Sequence, residues 1–230
     1  MRKENDRYVI SRGLDPLKDQ SYVLWGVTQA CLSRTMFPVG HLKKSVIREM
    51  AHEKGLHELA NKSESYEICF IPDNDYRAFL KNRVEGLEER LDGGLFVNKE
   101  GLILGNHKGY PFYTIGQRKG LEIAVGNALY VTEIVPETNT VVLGNIEELQ
   151  QQQTWVRNIN LVKYASIDNS MDALTKIRYK DPGTMSAIEQ HGDRMNVTFF
   201  KPVNGIAPGQ SAVFYEGDDL IGGGFIDKVK

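Results

Sequence analysis

The last third of the chain alternates between apolar and polar residues, and this pattern constrains the fold more than any other feature. Strict alternation predicts β-strands that bury one face. His191-Gly-Asp193 supplies a tight turn between two of these runs. A small sheet has exposed edges unless it closes, so six strands in about 75 residues predict a closed antiparallel β-barrel. The predicted strands are Val156–Val162, Ala173–Tyr179, Met185–Gln190, Met195–Phe200, Ser211–Tyr215 and Leu220–Lys228.

A helix is predicted in the stretch that ends near residue 91. Pro72-Asp73 is typical of a helix start, with Asp73 as the N-cap. Asp92-Gly-Gly94 is typical of a linker that follows the helix. The apolar residues that recur at helical spacing are Tyr76, Phe79, Leu80, Val84, Leu87 and Leu91.

Beyond this helix the periodicity becomes that of strands. Residues 95–105 are predicted as two strands around an Asn-Lys-Glu-Gly turn, and residues 130–143 as a hairpin. Glu147–Thr154, with a run of glutamines, is predicted as a second linker. Together with the barrel, these elements predict an α+β multidomain fold. The predicted domains are residues 1–92, 93–147 and 148–230.

The first sixty residues are predicted to contain short helices and one strand. Residues 7–10 form a strand with no partner nearby in sequence. Ser45–Lys54 is predicted as a helix that Gly55 ends, with Val46, Ile47 and Met50 as its core face. Thr28 caps a shorter helix that contains Cys31, for which we predict a structural role because free cysteines are often buried.

Composition restricts the classes of protein that this chain can belong to. A net charge of -2 gives no global basic field, although a local basic patch can still bind RNA. Two cysteines in 230 residues exclude a disulfide scaffold, and no Cys/His cluster has zinc-ligand spacing. No apolar run reaches membrane-spanning length and the N-terminus does not resemble a signal peptide. We therefore expect a cytoplasmic protein without a membrane partner.

The second cysteine, Cys69, has two interpretations on local sequence. It lies just before the predicted helix start, where backbone N–H groups favour a thiolate. It also lies between Ile68 and Phe70, as an inert thiol in a buried strand would.

Three polar stretches are candidates for contact with nucleic acid. Lys18, Asp19 and Gln20 cluster at a predicted helix start that can meet a phosphate or a base, or simply cap the helix. Residues 106–121 combine glycines and aromatic rings with basic residues, as RNA contact requires, but this pattern also fits an ordinary loop. Arg178-Tyr179 form a basic-aromatic pair at the end of a predicted strand, and Gln210 lies in a predicted turn. Each taken alone also fits ordinary surface.

Taken together, these motifs resemble the bacterial tRNA 2-thiouridylases, also called tRNA-uridine 2-sulfurtransferases. Glu67 departs from the family pattern, in which many members have Gly beside the thiol. The family also begins with a nucleotide-binding domain that carries a Ser-Gly-Gly-x-Asp-Ser loop, and this sequence contains no such motif. The resemblance rests on Lys18-Asp-Gln-Ser-Tyr22, Phe37-Pro-Val-Gly40, Glu67-Ile-Cys-Phe-Ile71, Tyr113-Thr-Ile-Gly-Gln-Arg-Lys-Gly-Leu121, Arg178-Tyr179, Pro208-Gly-Gln-Ser-Ala-Val-Phe-Tyr215 and Gly222-Gly-Gly224.

The resemblance implies a fold and an origin for each predicted domain. Residues 1–92 would be the C-terminal, helical remnant of an α/β nucleotide-binding domain. Residues 93–147 would form a small central β-rich domain, and residues 148–230 the barrel. The family's first catalytic cysteine would lie in the missing region, and Cys31 does not take its place.

The resemblance also implies a reaction and the residues that serve it. Cys69 would carry a persulfide sulfur to C2 of the wobble uridine of tRNA, which the family activates with ATP and Mg²⁺. A second cysteine would free the sulfur and leave an enzyme disulfide. Partners would be tRNA and a persulfide donor, either a cysteine desulfurase or a sulfur relay protein. The implied tRNA contacts are Lys18, Asp19, Gln20, Arg178, Tyr179 and Gln210, with His107 and Arg118 as further RNA contacts.

Two alternatives to a complete enzyme are open. A chain without the phosphate loop fits a non-catalytic tRNA-binding module, a truncated paralogue that keeps the contacts and has lost the chemistry. A translation-factor-like barrel without a thiol role explains residues 155–230 but not the first 92.

Overall fold

A computed structural model describes residues 1–62, 71, 75–123 and 126–227. The chain divides into two compact units, one formed by Met1–Lys62 with Gln152–Lys230 and the other by Ser63–Gln151. Within the described ranges, no helix is both long and apolar enough to cross a membrane.

Six antiparallel strands of the first unit close into a barrel, as the alternation predicts. Around the barrel they follow the order β10-β7-β12-β11-β8-β9. Their inward side chains form a core that includes Ile188, Val197 and Phe214. The strands are β7 (Gln150–Leu161), β8 (Met171–Lys176), β9 (Thr184–His191), β10 (Arg194–Asn204), β11 (Ser211–Glu216) and β12 (Asp219–Ile226).

The predicted linker at residues 147–154 is wrong. A 3₁₀ helix, Ile146–Leu149, leads directly into β7, and the glutamine run forms the first residues of that strand. Strand β7 has 12 residues, so the glutamines extend it beyond the predicted alternating segment.

The chain begins with a hairpin, which corrects the prediction of a strand without a nearby partner. Strand β1 (Arg2–Glu4) pairs antiparallel with β2 (Arg7–Val9). Asn5 and Asp6 make the turn with φ of 47° and 59°. Asn and Asp tolerate this left-handed conformation better than most residues, so the turn signal was present in the sequence.

Four helical segments follow in the first unit. The longest, α2, ends where predicted, with Gly55 at a φ of 75°. Thr28 caps α1 through a hydrogen bond that its Oγ1 accepts from the Cys31 amide at 3.3 Å. The segments are a 3₁₀ helix, Ser21–Gly26, then α1 (Gln29–Leu32), α2 (Lys44–Glu53) and α3 (His57–Asn61).

Two burial predictions in this region are wrong. Val46 and Met50 on α2 are 37% and 48% exposed, and none of the residues of α2 is buried. The helix packs no apolar face into a core of the described residues, although its periodicity is amphipathic. Cys31 is a free, exposed thiol, because the four-residue α1 turns Leu32 rather than Cys31 inward.

The segment before α2 packs on the outer face of the barrel. Val213 and Tyr215 of β11 point outward, where they share a buried cluster with Tyr22 and Leu32. The Gln29 side chain bonds both backbone groups of Tyr8 and the carbonyl oxygen of Val162. The first residues and the barrel therefore form one core.

Gly223 in β12 allows Trp25 to pack closely against this strand. A Cβ atom at Gly223 would lie 2.8 Å from Cγ of Trp25 and 2.7 Å from the carbonyl oxygen of Ala212. The Trp25 ring meets Phe225 edge to face, and its Nε1 donates to Ser211 Oγ at 3.1 Å. Asn160 donates its amide to the carbonyl oxygen of Trp25.

An ion cluster centred on Asp219 fastens the N-terminal hairpin to the barrel. Arg2 donates two hydrogen bonds to the Asp219 carboxylate, at 2.8 and 2.7 Å. Ser11 Oγ and Lys163 Nζ each donate another at 2.8 Å. The bond from Arg2, followed by those from Lys163 and Ser11, outweighs burial and holds the pKa of Asp219 well below its ordinary value.

The described residues of the second unit include two α-helices and a four-stranded sheet of order β4-β3-β6-β5, in which β3 and β6 are parallel. Both predicted strand pairs, β3 with β4 and β5 with β6, are confirmed. The elements are α4 (Tyr76–Arg83), α5 (Leu87–Leu91), β3 (Gly94–Val97), β4 (Ile103–His107), β5 (Tyr130–Val135) and β6 (Thr140–Gly144).

The single predicted helix of this unit is two helices. Asp73 lies outside the described residues, and Asp75 caps α4 by accepting a hydrogen bond from the Ala78 amide at 2.9 Å. Val84 is extended and Gly86 is left-handed with a φ of 66°, so α4 ends at Arg83 and α5 begins at Leu87. Val84 is β-branched and Gly86 has a low helix propensity. The two residues interrupt the helix although the apolar residues continue at helical spacing.

We predict that Asp219→Asn lowers the free energy of unfolding by about 1–3 kcal/mol at neutral pH, because charged hydrogen bonds are lost. The depressed pKa makes this contribution complete above the ordinary carboxyl pKa of about 4 and removes it as pH falls through the folded-state pKa. The difference between wild type and variant should therefore shrink below about pH 4 in urea titrations. Asp193→Asn, in an exposed turn, is the control. A pH-independent difference would contradict the ionic role of Asp219.

We also predict that Gly223→Ala destabilises the chain by about 1–3 kcal/mol, because the new methyl group overlaps Trp25 and a backbone oxygen. Gly26→Ala is the matched control, since a Cβ atom there meets nothing within 4 Å. Thermal unfolding of the two variants makes the comparison. Equal stability of the two would show that Trp25 does not pack on β12 as described.

Candidate nucleic-acid interface

The loop that contains Lys18, Asp19 and Gln20 is held by the carboxylate of its middle residue. Asp19 Oδ1 accepts hydrogen bonds from the backbone amides of Gly13 and Ser21, at 3.0 and 3.1 Å. Its Oδ2 accepts from Ser21 Oγ at 2.8 Å. Gln20, not Asp19, is the N-cap of the 3₁₀ helix that follows, and its side chain makes no cap bond. Asp19 therefore closes the loop, and Gln20 is exposed.

Two buried hydroxyl groups connect this loop to strand β11. Ser21 Oγ lies 3.0 Å from the hydroxyl of Tyr215, and the two residues are 3% and 1% exposed. Tyr22 donates its hydroxyl to the carbonyl oxygen of Ser211 at 2.8 Å. Burial raises the pKa of Tyr22 to about 12 and also raises the pKa of Tyr215. Both phenols therefore keep their protons at neutral pH.

Arg178 and Tyr179 lie just beyond the end of β8, in the connection to β9. The Tyr179 hydroxyl donates to the carbonyl oxygen of Asp19 at 3.2 Å. Its ring meets the ring of Tyr22 edge to face, with centroids 6.0 Å apart. Arg178 is exposed, and its Nη2 makes a long contact of 3.5 Å with the carbonyl oxygen of Asn204. The barrel turn and the loop are thus in direct contact.

Gln210 is held by its backbone and presents an exposed side chain. Its amide donates to the carbonyl oxygen of Ala207 at 3.2 Å, and its own carbonyl accepts from the Ile226 amide at 2.8 Å. The next residue is Ser211, whose carbonyl binds Tyr22. All six residues that the sequence predicts as tRNA contacts therefore lie on connected elements of the first unit. We call this surface, formed by residues 18–22, 178–179 and 210–211, the loop–barrel face.

Sequence reasoning missed the residues that hold this face together. Ser21, Tyr22 and Tyr215 carry the connecting hydroxyl groups, and Arg12 lies with its Cζ atom 4.2 Å from the centroid of the Tyr215 ring. Ser21, Tyr22 and Tyr215 belong to motifs that the resemblance already singles out, Lys18-Asp-Gln-Ser-Tyr22 and Pro208 to Tyr215. Their positions inside those motifs marked them in the sequence. Nothing in the sequence indicated that the two distant segments would pair with each other.

His107 and Arg118 lie in the second unit and have different surroundings. His107 is 7% exposed, and its Nδ1 accepts a hydrogen bond from the Gly109 amide at 2.9 Å. Its ring packs edge to face on Phe96, and a Cβ atom at Gly94 would overlap its Cε1. Burial lowers the pKa of His107, so the ring is neutral. This geometry gives no support to RNA contact by His107, which stays a prediction.

The loop around Arg118 is ordered by a neighbouring amide. Gln117 accepts a hydrogen bond from the Thr114 amide and donates one to the carbonyl oxygen of Lys119, both at 3.0 Å. Arg118 and Lys119 are exposed at the surface of the second unit. Contact of Arg118 with RNA stays a prediction.

Cys69 and its neighbour Glu67 lie outside the described residues. The role of Cys69 therefore stays a prediction that depends on its sequence motif. No disulfide is formed by Cys31, the cysteine that the structure describes.

Three models of one protein family match consecutive parts of the chain. A tRNA methyl transferase HUP domain matches residues 1–73, a tRNA methyl transferase PRC-barrel domain residues 77–145, and an aminomethyltransferase beta-barrel domain residues 151–226. The model descriptions refer to methyl transfer, whereas the named relatives are thiouridylases. These relatives are similar to this chain over nearly its whole length.

The curated relatives carry the name tRNA-specific 2-thiouridylase MnmA. Those of Cytophaga hutchinsonii, Amoebophilus asiaticus and Salinibacter ruber are 59%, 57% and 54% identical over 98% of this chain. The chain spans only 62%, 60% and 59% of their respective lengths. Identity at this level over such an extent, together with the three consecutive domain matches, shows that the chain belongs to the tRNA-specific 2-thiouridylase family.

Proposed function

We propose that this chain supplies the tRNA-binding surface and the sulfur-carrying cysteine of a tRNA 2-thiouridylase. The reaction transfers a persulfide sulfur to C2 of the wobble uridine in an ATP-dependent manner. The observation that supports this proposal best is the loop–barrel face, where hydrogen bonds connect motif residues that are almost 200 positions apart in sequence. Residues that only stabilised their own segments would not need to meet on one exposed surface.

The chemistry of the loop–barrel face suits RNA. Gln20 and Gln210 offer exposed amide groups, which can both donate and accept hydrogen bonds at base edges. Tyr179 is 42% exposed and offers a ring for base stacking, while Arg178 offers a cation for phosphate. Asp19 is held by backbone amides, so its role is to order the loop around Lys18 and Gln20.

Cys69 would act as the sulfur carrier. Its persulfide sulfur would attack C2 of the adenylated uridine, and AMP would leave with the former C2 oxygen. A thiol of a second cysteine would then attack the Cys69 sulfur, which releases 2-thiouridine and leaves an enzyme disulfide. ATP supplies the activation of C2, since the carbonyl there is a poor electrophile. No group of three or more carboxylate, imidazole or thiol side chains converges in the described part of the chain. We therefore assign no residue to Mg²⁺ and derive no step through it.

The proposed partners follow from this reaction. They are tRNA and a persulfide donor, either a cysteine desulfurase or a sulfur relay protein, and the proposed location is the cytoplasm. The division into domains at residues 92 and 147 stays part of the proposal.

A non-catalytic tRNA-binding module is the second candidate. The 230 residues contain no Ser-Gly-Gly-x-Asp-Ser motif, which favours this candidate for the polypeptide by itself. The two candidates share the same RNA surface. They differ in whether the chain, supplied with an ATP-binding domain, transfers sulfur.

We predict that the chain binds cognate tRNA and that Gln20→Ala and Gln210→Ala each weaken binding about fivefold, the equivalent of one hydrogen bond. Tyr179→Ala should weaken it about 5-fold to 100-fold through lost stacking. Gln152→Ala, an exposed glutamine on β7, is the matched control. Filter binding at constant salt measures all four. Unchanged affinity in the three face variants would contradict the assignment of the loop–barrel face to tRNA.

We predict that the chain does not thiolate tRNA by itself and that, supplied with the ATP-binding domain of a 2-thiouridylase, it does. In that complete enzyme Cys69→Ser should abolish 2-thiouridine formation and leave tRNA affinity unchanged. Cys31→Ser is the matched control and should retain activity. The assay uses ATP, a persulfide donor and cognate tRNA. Thiolation by the Cys69→Ser enzyme would show that another residue carries the sulfur, and would leave the tRNA surface unaffected.

A further inference from the structure

Arg12 lies beside the loop–barrel face, on the ring of Tyr215. Its backbone amide donates to the carbonyl oxygen of Asp218 at 2.8 Å, which fixes the residue against the turn between β11 and β12. Its guanidinium lies over the ring of Tyr215, with Cζ 4.2 Å from the centroid. The Nη2 atom is buried, and no described residue accepts a hydrogen bond from it. Arg12 as a residue is only partly buried, and a guanidinium with an unsatisfied donor calls for an acceptor.

Lys176 projects from the same outer face of the barrel. In the register of β8 with β11 it lies opposite Val213, and Leu174 lies opposite Tyr215. Directly opposite residues of antiparallel strands point to the same side of a sheet. The Lys176 ammonium lies 6.0 Å from the centroid of the Tyr22 ring. Arg12 lies over Tyr215 and Lys176 lies opposite Val213, so both cations are on the outer face that β8 and β11 share. Burial, and next the charge of Arg12, lower the pKa of Lys176.

The carboxylates around these two cations are engaged elsewhere. Asp19 accepts from the backbone amides of Gly13 and Ser21. Asp181 accepts from the backbone amides of Ile177 and Gly183, at 2.9 and 3.1 Å. Among the ion pairs of the described residues, none includes Arg12 or Lys176. Arg12 and Lys176 therefore have no ion-pair partner among the described residues, although the charges of Asp19 and Asp181 act to raise the pKa of Lys176.

We propose that Arg12 and Lys176 together bind one phosphodiester group of the tRNA backbone, beside the loop that contains Lys18, Asp19 and Gln20. This inference rests on the proposed tRNA-binding function and adds two residues to it. A phosphate supplies the oxygen acceptors that a guanidinium and an ammonium need, and its charge offsets their mutual repulsion. The adjacent amides and the Tyr179 ring supply contacts for bases, which makes the ligand an RNA strand rather than a free anion.

The salt dependence of tRNA binding tests this site. Arg12→Gln and Lys176→Gln should each weaken binding at low salt, and the loss should diminish as salt rises. The double variant should lower the slope of log K against log salt by about 0.7–0.9, the value for one phosphate contact. Arg12→Lys keeps the charge and should keep the slope. Lys201→Gln is the control, since it removes an exposed lysine from β10, which lies across the barrel from β11.

The outcomes separate this site from the function on which it rests. Failure of the unsubstituted chain to bind tRNA would overturn the proposed function and this site with it. Normal binding that Gln20→Ala weakens, with an unchanged salt slope in the Lys176→Gln and double variants, would overturn the phosphate site alone. A decrease of twice the expected amount in the double variant would show two separate phosphates and overturn the pairing. Thermal unfolding of each variant confirms that the comparison is made between folded chains, and Lys176→Gln tests the site even where a change at Arg12 prevents folding.

Discussion

The packing of the N-terminal segment on the outer face of the barrel is the interaction on which the other features depend. Trp25 fits against β12 because Gly223 has no side chain, and Tyr22 fits against Val213 and Tyr215 of β11. Burial of these side chains brings two distant parts of the chain into one core. Asp219 then holds the hairpin that precedes this segment through charged hydrogen bonds. Without this core, the loop–barrel face would not exist as a single surface.

Order within the loop–barrel face follows from that packing. Ser21 and Tyr215 are both buried and hydrogen-bonded to each other, so this link between the loop and β11 is shielded from water. Asp19 organises the loop from inside, and Tyr179 reaches it from the end of β8. A surface whose donors and rings are already fixed loses less conformational entropy when RNA binds. This preorganisation explains why the motif includes buried residues such as Ser21, which have no exposed group that could contact RNA.

Local patterns predicted much of the fold. The alternation after Trp155 identified all six barrel strands, and the Asn-Lys-Glu-Gly turn identified the pairing of β3 with β4. Errors arose where a signal was short or where a partner was distant in sequence. The Asn5-Asp6 turn and the Val84–Gly86 break are each two or three residues long. The amphipathic pattern of α2 indicates an apolar face but does not provide a partner to cover it, and α2 has no buried residue.

The sequence predicted which residues belong to the candidate site better than it predicted how they contact one another. Motif resemblance selected Lys18, Asp19, Gln20, Arg178, Tyr179 and Gln210, which the structure brings onto connected elements. It could not select Arg12 or Lys176, whose proposed pairing depends on the register of β8 with β11 and on the packing of a segment more than 150 residues away. For His107 the structure adds no such support, since its ring is buried against Phe96, and its contact with RNA stays a prediction.

The central claim is that the N-terminal loop and the barrel turns bind tRNA as one surface. Hydrogen exchange of backbone amides, measured with and without cognate tRNA, tests it most directly. The account predicts that tRNA slows exchange in residues 12–22, 178–183 and 209–211 together, while β10 on the far side of the barrel is unchanged. Protection of only one of these segments, or of β10 instead, would contradict it.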